Sequence, residues 1–124
     1  MHSNHVSGLL AEQFVAQHLE ALGATVLAQR WRCAAGEIDL VVRLEEYLCF
    51  VEVKARGRVN LDSNGLEAIN WRKRQRLCRA ANLFLLKNPH LNGLGCRFDV
   101  ALVRKNSRSG PQLLAYLSGA FVEE

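Results

Sequence analysis

The sequence predicts an α/β domain whose elements follow the order α-β-β-β-α-β-β. Three observations predict it. Two long segments, from Asn4 or Ser7 to Leu22 and from Leu66 to Leu86, carry apolar residues at helical spacing. Two near-continuous apolar runs, 37–43 and 47–54, have the content of strands covered on both faces of a sheet. The stretches 24–30, 97–104 and 112–117 read as further strands, bounded by turn-forming Gly, Asn, Pro and Ser.

In the first helix, Leu10, Ala11, Phe14, Val15, Leu19 and Leu22 gather on one arc at about 100° per residue, with Gln13, Gln17 and Glu20 opposite. Asn4 or Ser7 is suited to cap its start and Gly23 to end it. Glu12 falls at the margin of the apolar arc, beside Leu19 and one turn beyond Gly8. It should point along the rim where the helix meets its neighbour.

Trp31 to Ala35 reads as a connection closed by Gly36. In the strand that follows, Ile38, Leu40 and Val42 share one face and Glu37, Asp39, Val41 and Arg43 the other. From Tyr47 to Lys54, Leu48, Phe50, Glu52 and Lys54 share a face. A hairpin turning at Glu45-Glu46 sets Leu44 opposite Tyr47, and that register sets Val41 opposite Phe50, Asp39 opposite Glu52 and Glu37 opposite Lys54. Ala55 to Gly65 reads as a loop. On the second helix Leu66, Ile69, Leu77, Ala80, Ala81 and Phe84 form the buried stripe, with Arg72, Arg76 and Arg79 in an exposed row. Lys73 lies within the stripe, its stem covered and its ammonium reaching an edge. Pro89 to Gly95 and Lys105 to Pro111 are turns, and Ser118 to Glu124 carries no readable pattern.

The chain has 124 residues, 49% hydrophobic and 23% charged, enough for one domain spanning residues 1–124 with its own core. No apolar run approaches the ~20 residues a membrane span needs, and the start lacks the pattern of an export signal, so a cytoplasmic protein is expected. Cys33, Cys49, Cys78 and Cys96 lack metal-binding or paired spacing and read as reduced thiols. The net charge of +4 permits an anionic partner, and five cations between residues 72 and 79 make nucleic acid the leading one. With aromatics at 7%, a base-stacking platform is not expected.

Two carboxylates opposed on neighbouring strands, their Cβ atoms about 5 Å apart, repel unless a cation lies between them. Asp39 and Glu52 are hard oxygen ligands suited to Mg2+ or Mn2+, which retain waters and take one or two protein carboxylates plus phosphate oxygens. Lys54, on the face of Glu52, can orient a water or neutralise charge on a phosphate, and Glu12 can complete the metal shell. These residue types describe metal-assisted hydrolysis of a phosphodiester. The bland alternative is an ion-pair network on a sheet. Asp99, between Phe98 and Val100, reads as structural, a partner for Arg97 or an edge residue.

Gly8-x3-Glu12, Gly36-Glu37-Ile38-Asp39-Leu40, Phe50-Val51-Glu52-Val53-Lys54-x-Arg56, Ala68-Ile69-x3-Lys73 and Arg97-Phe98-Asp99-Val100 together resemble the YraN-like family of small bacterial proteins. That family is similar in pattern to the PD-(D/E)xK, restriction-endonuclease-like superfamily, with Holliday junction resolvases among its closer analogues. The resemblance implies a restriction-endonuclease-like core, a mixed central sheet of about five strands flanked by helices. It implies Asp39, Glu52 and Glu12 as metal ligands and Lys54 as the residue that assists the water. Ile38 stands where the superfamily pattern has proline. The expected function is therefore a metal-dependent endonuclease acting on DNA, branched or structured DNA included, with Arg56, Arg72, Lys73, Arg76 and Arg79 as candidate phosphate contacts, a solvated surface being the alternative for Arg56 and the arginine row, and a homodimer as the assembly that would cut two strands. The alternative is a non-catalytic nucleic-acid-binding or scaffold module that retains the fold.

Overall fold

A computed structural model describes the backbone of residues 2–56, 70–104 and 108–121 and the side chains of residues 8–55, 70–104 and 108–121. The elements are α1 (His2–Ala21), β1 (Thr25–Cys33), β2 (Gly36–Leu44), β3 (Tyr47–Arg56), α2 (Trp71–Lys87), a short 3-10 turn at Pro89–Leu91, β4 (Gly95–Arg104) and β5 (Gln112–Phe121). The five strands form one mixed sheet in the order β1-β2-β3-β4-β5, antiparallel except for the parallel pair β3 and β4. This is the layout expected from the sequence. A helix must connect the parallel pair, because a hairpin cannot return a strand to the same end of a sheet, and α2 does so.

The two helices cover opposite faces. Ala11, Val15, Ala16 and Leu19 of α1 pack with Leu40, Val42, Cys49 and Val51, whereas Leu77, Ala80, Ala81 and Phe84 of α2 pack with Ile38, Val41, Leu48 and Phe50. Both faces of β2 and β3 are thus dry, which accounts for their near-continuous apolar content. Leu10 and Leu22, on the predicted apolar arc, remain more than half exposed.

Several boundaries differ from expectation, each for a local reason. Asn4 and Ser7 lie inside α1 rather than capping it. The α1 C-terminus is a Schellman motif: the Ala24 N–H donates to Leu19 O and the Gly23 N–H to Glu20 O, with Gly23 at φ 101°. β1 continues through Trp31 to Cys33, so its connection to β2 is only Ala34-Ala35, with Cys33 opposite Gly36. Gly36 has φ 139°, which favours glycine, and a Cβ placed there would sit 3.0 Å from Arg76 Cδ, so the arginine stem would have to shift slightly. Ala55 and Arg56 still belong to β3, and the rest of the predicted loop, with Leu66 and Ile69, lies outside the described residues. α2 begins at Trp71 because Asn70 holds an extended backbone and its side-chain oxygen accepts the Lys73 N–H at 2.9 Å.

β5 runs four residues past Leu117 because of Asp99. Phe98 pairs with Phe121 but Val100 with Leu117, leaving a bulge in β5 opposite Asp99. The carboxylate fills it, accepting from Gly119 N–H at 2.9 Å, Tyr116 Oη at 2.6 Å and Arg97 Nε at 3.0 Å. Asp99 is structural, with Arg97 as its partner, as its setting in the sequence suggested.

Candidate active site at the fork between β2 and β3

The β2–β3 ladder pairs Leu44 with Tyr47, Val41 with Phe50 and Leu40 with Val51, the register expected from the hairpin. Asp39 and Glu52 come next. There the side chain of Asp39 replaces the main chain: its Oδ2 accepts the Val53 N–H at 2.8 Å. The pleat is broken at the same level. Leu40 and Val42 belong to the α1-side core, but Ile38 joins Val41 in the α2-side core, so these three residues do not share one face as strict alternation would require. The neighbouring strand shows a matching break, since Ala28 and Trp31 both pack on the α2-side core. Between those two sits Arg30, with φ 50°, a left-handed conformation uncommon for a residue with a side chain.

Glu52 is only 7% exposed. Its Oε2 meets Lys73 Nζ at 2.6 Å and Lys54 Nζ at 3.3 Å, so one lysine from α2 and one from β3 converge on one oxygen. Burial, followed by the adjacent Glu52 charge, pushes Asp39 up to about 7, against the pull of the Val53 N–H. Lys54 is lowered, first by burial and then by its contact with Lys73. For Lys73, burial pulls downward and the bonds to Glu52 and Lys54 outweigh it, leaving its pKa raised. The pair is therefore asymmetric, with Lys54 the readier to lose its proton.

Glu12 reaches the rim from α1, where its Oε1 accepts from Arg30 Nε at 2.7 Å. Burial raises its pKa, and the Arg30 bond offsets part of that. The fields of Glu12, Asp39 and Glu52 overlap, since each of the other two acids contributes to the upward shift of Asp39. Glu37 lies elsewhere: its partner is Arg32 of β1 at 3.0 Å, not Lys54. Arg72, Arg76 and Arg79 are exposed on α2, and the stem of Arg76 lies across Gly36. Arg56 ends β3 opposite Arg104, its side chain outside the described residues.

Arg30 was not singled out by the sequence, and no local signal could have done so, because arginine does not favour a positive φ. Lys73 was placed at an edge of the sheet, but its target on Glu52 depends on how α2 docks.

No three His, Cys, Asp or Glu side chains among the described residues are grouped so as to enclose a cation. The donor set offered is the carboxylate pair Asp39 and Glu52, with Glu12 beyond it. Two carboxylates suit Mg2+ or Mn2+, whose remaining positions are filled by water and phosphate oxygens. The fit is that of a partial shell, completed by solvent and substrate.

A five-stranded mixed sheet between two helices, its central strands forking around an Asp, a Glu and two lysines, defines a class of small α/β proteins with a carboxylate-lysine centre. Within that class the chain belongs to the uncharacterised protein family UPF0102, the YraN-like family, whose model matches residues 11–103. It is 55% identical to a UPF0102 protein of Gloeobacter violaceus, over 98% of this chain and 96% of the relative. It is 41% identical to one of Frankia casuarinae, over 98% and 100%, and 38% identical to one of Pseudomonas putida, over 93% and 92%. The matched span takes in Glu12, Asp39, Glu52, Lys54 and every cation of α2 named above, and ends before β5.

Proposed function

We propose that this chain is a Mg2+- or Mn2+-dependent endonuclease that hydrolyses phosphodiester bonds of DNA, branched or structured DNA included. The observation that carries the reading is the fork itself, where Asp39 and Glu52 meet two lysines on strands whose central residues are apolar and buried. A purely structural network gains little from burying like charges together.

Asp39, Glu52 and, from the rim, Glu12 would hold the cation, which when bound supplies positive charge to the scissile phosphate. Lys54, with its lowered pKa, orients a water at Nζ and in its neutral form takes that water's proton. The water oxygen bonds to phosphorus as the bond from phosphorus to the leaving oxygen breaks, and that oxygen takes a proton from solvent to depart as a hydroxyl. Lys73 balances Glu52 in the unloaded site and has a phosphate oxygen as its alternative partner. Arg56, Arg72, Arg76 and Arg79 supply charge along the DNA backbone. On this reading the protein works in the cytoplasm, and cutting two strands would call for a homodimer. No helix among the described residues is long and apolar enough to cross a membrane.

One observation favours a second reading, a non-catalytic DNA-binding module. Glu52 is already neutralised by two lysines, and no buried side-chain polar atom among the described residues lacks a partner. A panel of duplex, flap, junction and single-stranded DNA, incubated with Mn2+ and wild type or Glu52→Ala protein, separates the two. Cleavage by wild type that is lost in Glu52→Ala supports the nuclease. Cleavage that survives the substitution refutes it, and salt-sensitive binding with no cleavage of any substrate selects the second reading.

A further inference from the structure

Trp71 opens α2 with two thirds of its surface in water. The chain's other tryptophan, Trp31, packs edge-on against Phe84 with ring centroids 5.2 Å apart. An exposed indole offers a broad aromatic face on which a partner can stack. Its neighbours say what that partner is. Trp71, Gln75 and Arg79 follow one another at successive turns, with Arg72 and Arg76 alongside, and these five residues line a shallow depression of about 310 Å³. The first turn of α2 holds no acid, and among the described residues none of the three guanidinium groups forms an ion pair with a carboxylate. Lys73, on the next strip of the same helix, touches Glu52 at the fork.

Resting on the DNA-directed reading above, we propose that this face of α2 is a binding site for an unpaired stretch of nucleic acid, with one base stacked on Trp71 and the flanking phosphates on Arg72 and Arg76. An aromatic face ringed by cations matches the alternation of base and phosphate. Within a duplex every base face is already stacked, so Trp71 can take a base only where a strand is unpaired, at an end, a flap or a branch. The site would thus select DNA with single-stranded nucleotides beside the fork, and Gln75 offers both a donor and an acceptor to the base edge.

The test is binding without metal, in EDTA, so that cleavage plays no part. A short oligothymidine, an abasic oligonucleotide with the same number of phosphates and a duplex are titrated by fluorescence anisotropy and by tryptophan emission. Wild type should bind the oligothymidine about tenfold more tightly than the abasic strand and lose tryptophan emission on doing so. Trp71→Ala should lower oligothymidine affinity to the abasic level and leave duplex binding unchanged, while Trp71→Phe restores most of it. Circular dichroism checks that both variants fold. Equal binding of the two single strands by wild type, or no loss in Trp71→Ala, overturns the stacking site while leaving the DNA-directed reading intact. If wild type binds none of the three, both readings fail. Binding of a polyglutamate peptide with loss in Trp71→Ala, alongside indifference to the oligonucleotides, reassigns the face to an acidic peptide and also overturns the proposal.

Discussion

Replacing Asp39 by asparagine keeps the side-chain shape and an oxygen for the Val53 N–H, but removes the charge. In the folded protein burial and the Glu52 carboxylate push Asp39 from the ordinary 3.8 to about 7, so the fold holds the protonated form more tightly than the unfolded chain does. The sign follows: the contribution is complete below pH 3.8 and is lost as pH rises to about 7, above which the ionised carboxylate burdens the fold. At about 1.4 kcal/mol for each pH unit across that interval, the full burden is about 4 kcal/mol, and solvent reaching the partly exposed group brings it to about 2–4 kcal/mol. Urea unfolding in EDTA should therefore show Asp39→Asn more stable than wild type by that amount at pH 8.5, with the gap falling to about 1 kcal/mol at pH 4.5. Mn2+ at one thousand times its Kd at pH 8.5 should cancel or reverse the order, because it adds about 4.1 kcal/mol to the state that binds it. If Asp39→Asn is instead destabilised at pH 8.5 and the loss disappears at pH 4.5, the carboxylate is an ionised, well-solvated partner of the lysines, and the reasoning about a crowded anion pair is wrong.

Other perturbations should follow the same geometry. Lys73→Met removes the shorter of the two contacts to Glu52, and the unbalanced charge should tighten Mn2+ binding about tenfold by isothermal titration while lowering metal-free stability by about 2 kcal/mol. Asp99→Ala strips acceptors from Tyr116, Arg97 and the Gly119 N–H at once and should cost about 3–5 kcal/mol in denaturant unfolding, with β5 amides losing protection first. Gly36→Ala must adopt φ 139° and displace the Arg76 stem, so a loss of about 1–3 kcal/mol is expected by thermal unfolding.

How much of this could be read from the sequence depends on the range of the forces involved. The β2–β3 register was legible because turn length and period-two apolar content fix a hairpin locally, and Asp39 and Glu52 became neighbours in the argument for that reason alone. The arc of α1 was legible in the same way through Ala11, Val15 and Leu19, while Leu10 and Leu22, which the spacing also put on it, stay exposed. The start of α2 was hidden because Leu66 and Ile69 continue the apolar spacing upstream, and only the Asn70 bond to Lys73 N–H decides where the helix begins. The extension of β5 escaped notice because a buried carboxylate twenty residues away holds it. Arg30 and the paired breaks in alternation were invisible because strict pleating is the default that any reading of a strand assumes. Each of these misses involves a contact between elements distant in sequence, or a backbone conformation the residue itself does not favour.

The bond from Val53 N–H to Asp39 has a use beyond holding the fork. It makes a single amide the reporter of what the carboxylate is doing. A cation that draws Oδ2 away would loosen its hold on that proton, so hydrogen exchange at Val53 should speed up on such loading while its neighbours in the β3–β4 ladder stay protected. The strand pair thus carries its own readout of occupancy, visible without substrate or turnover.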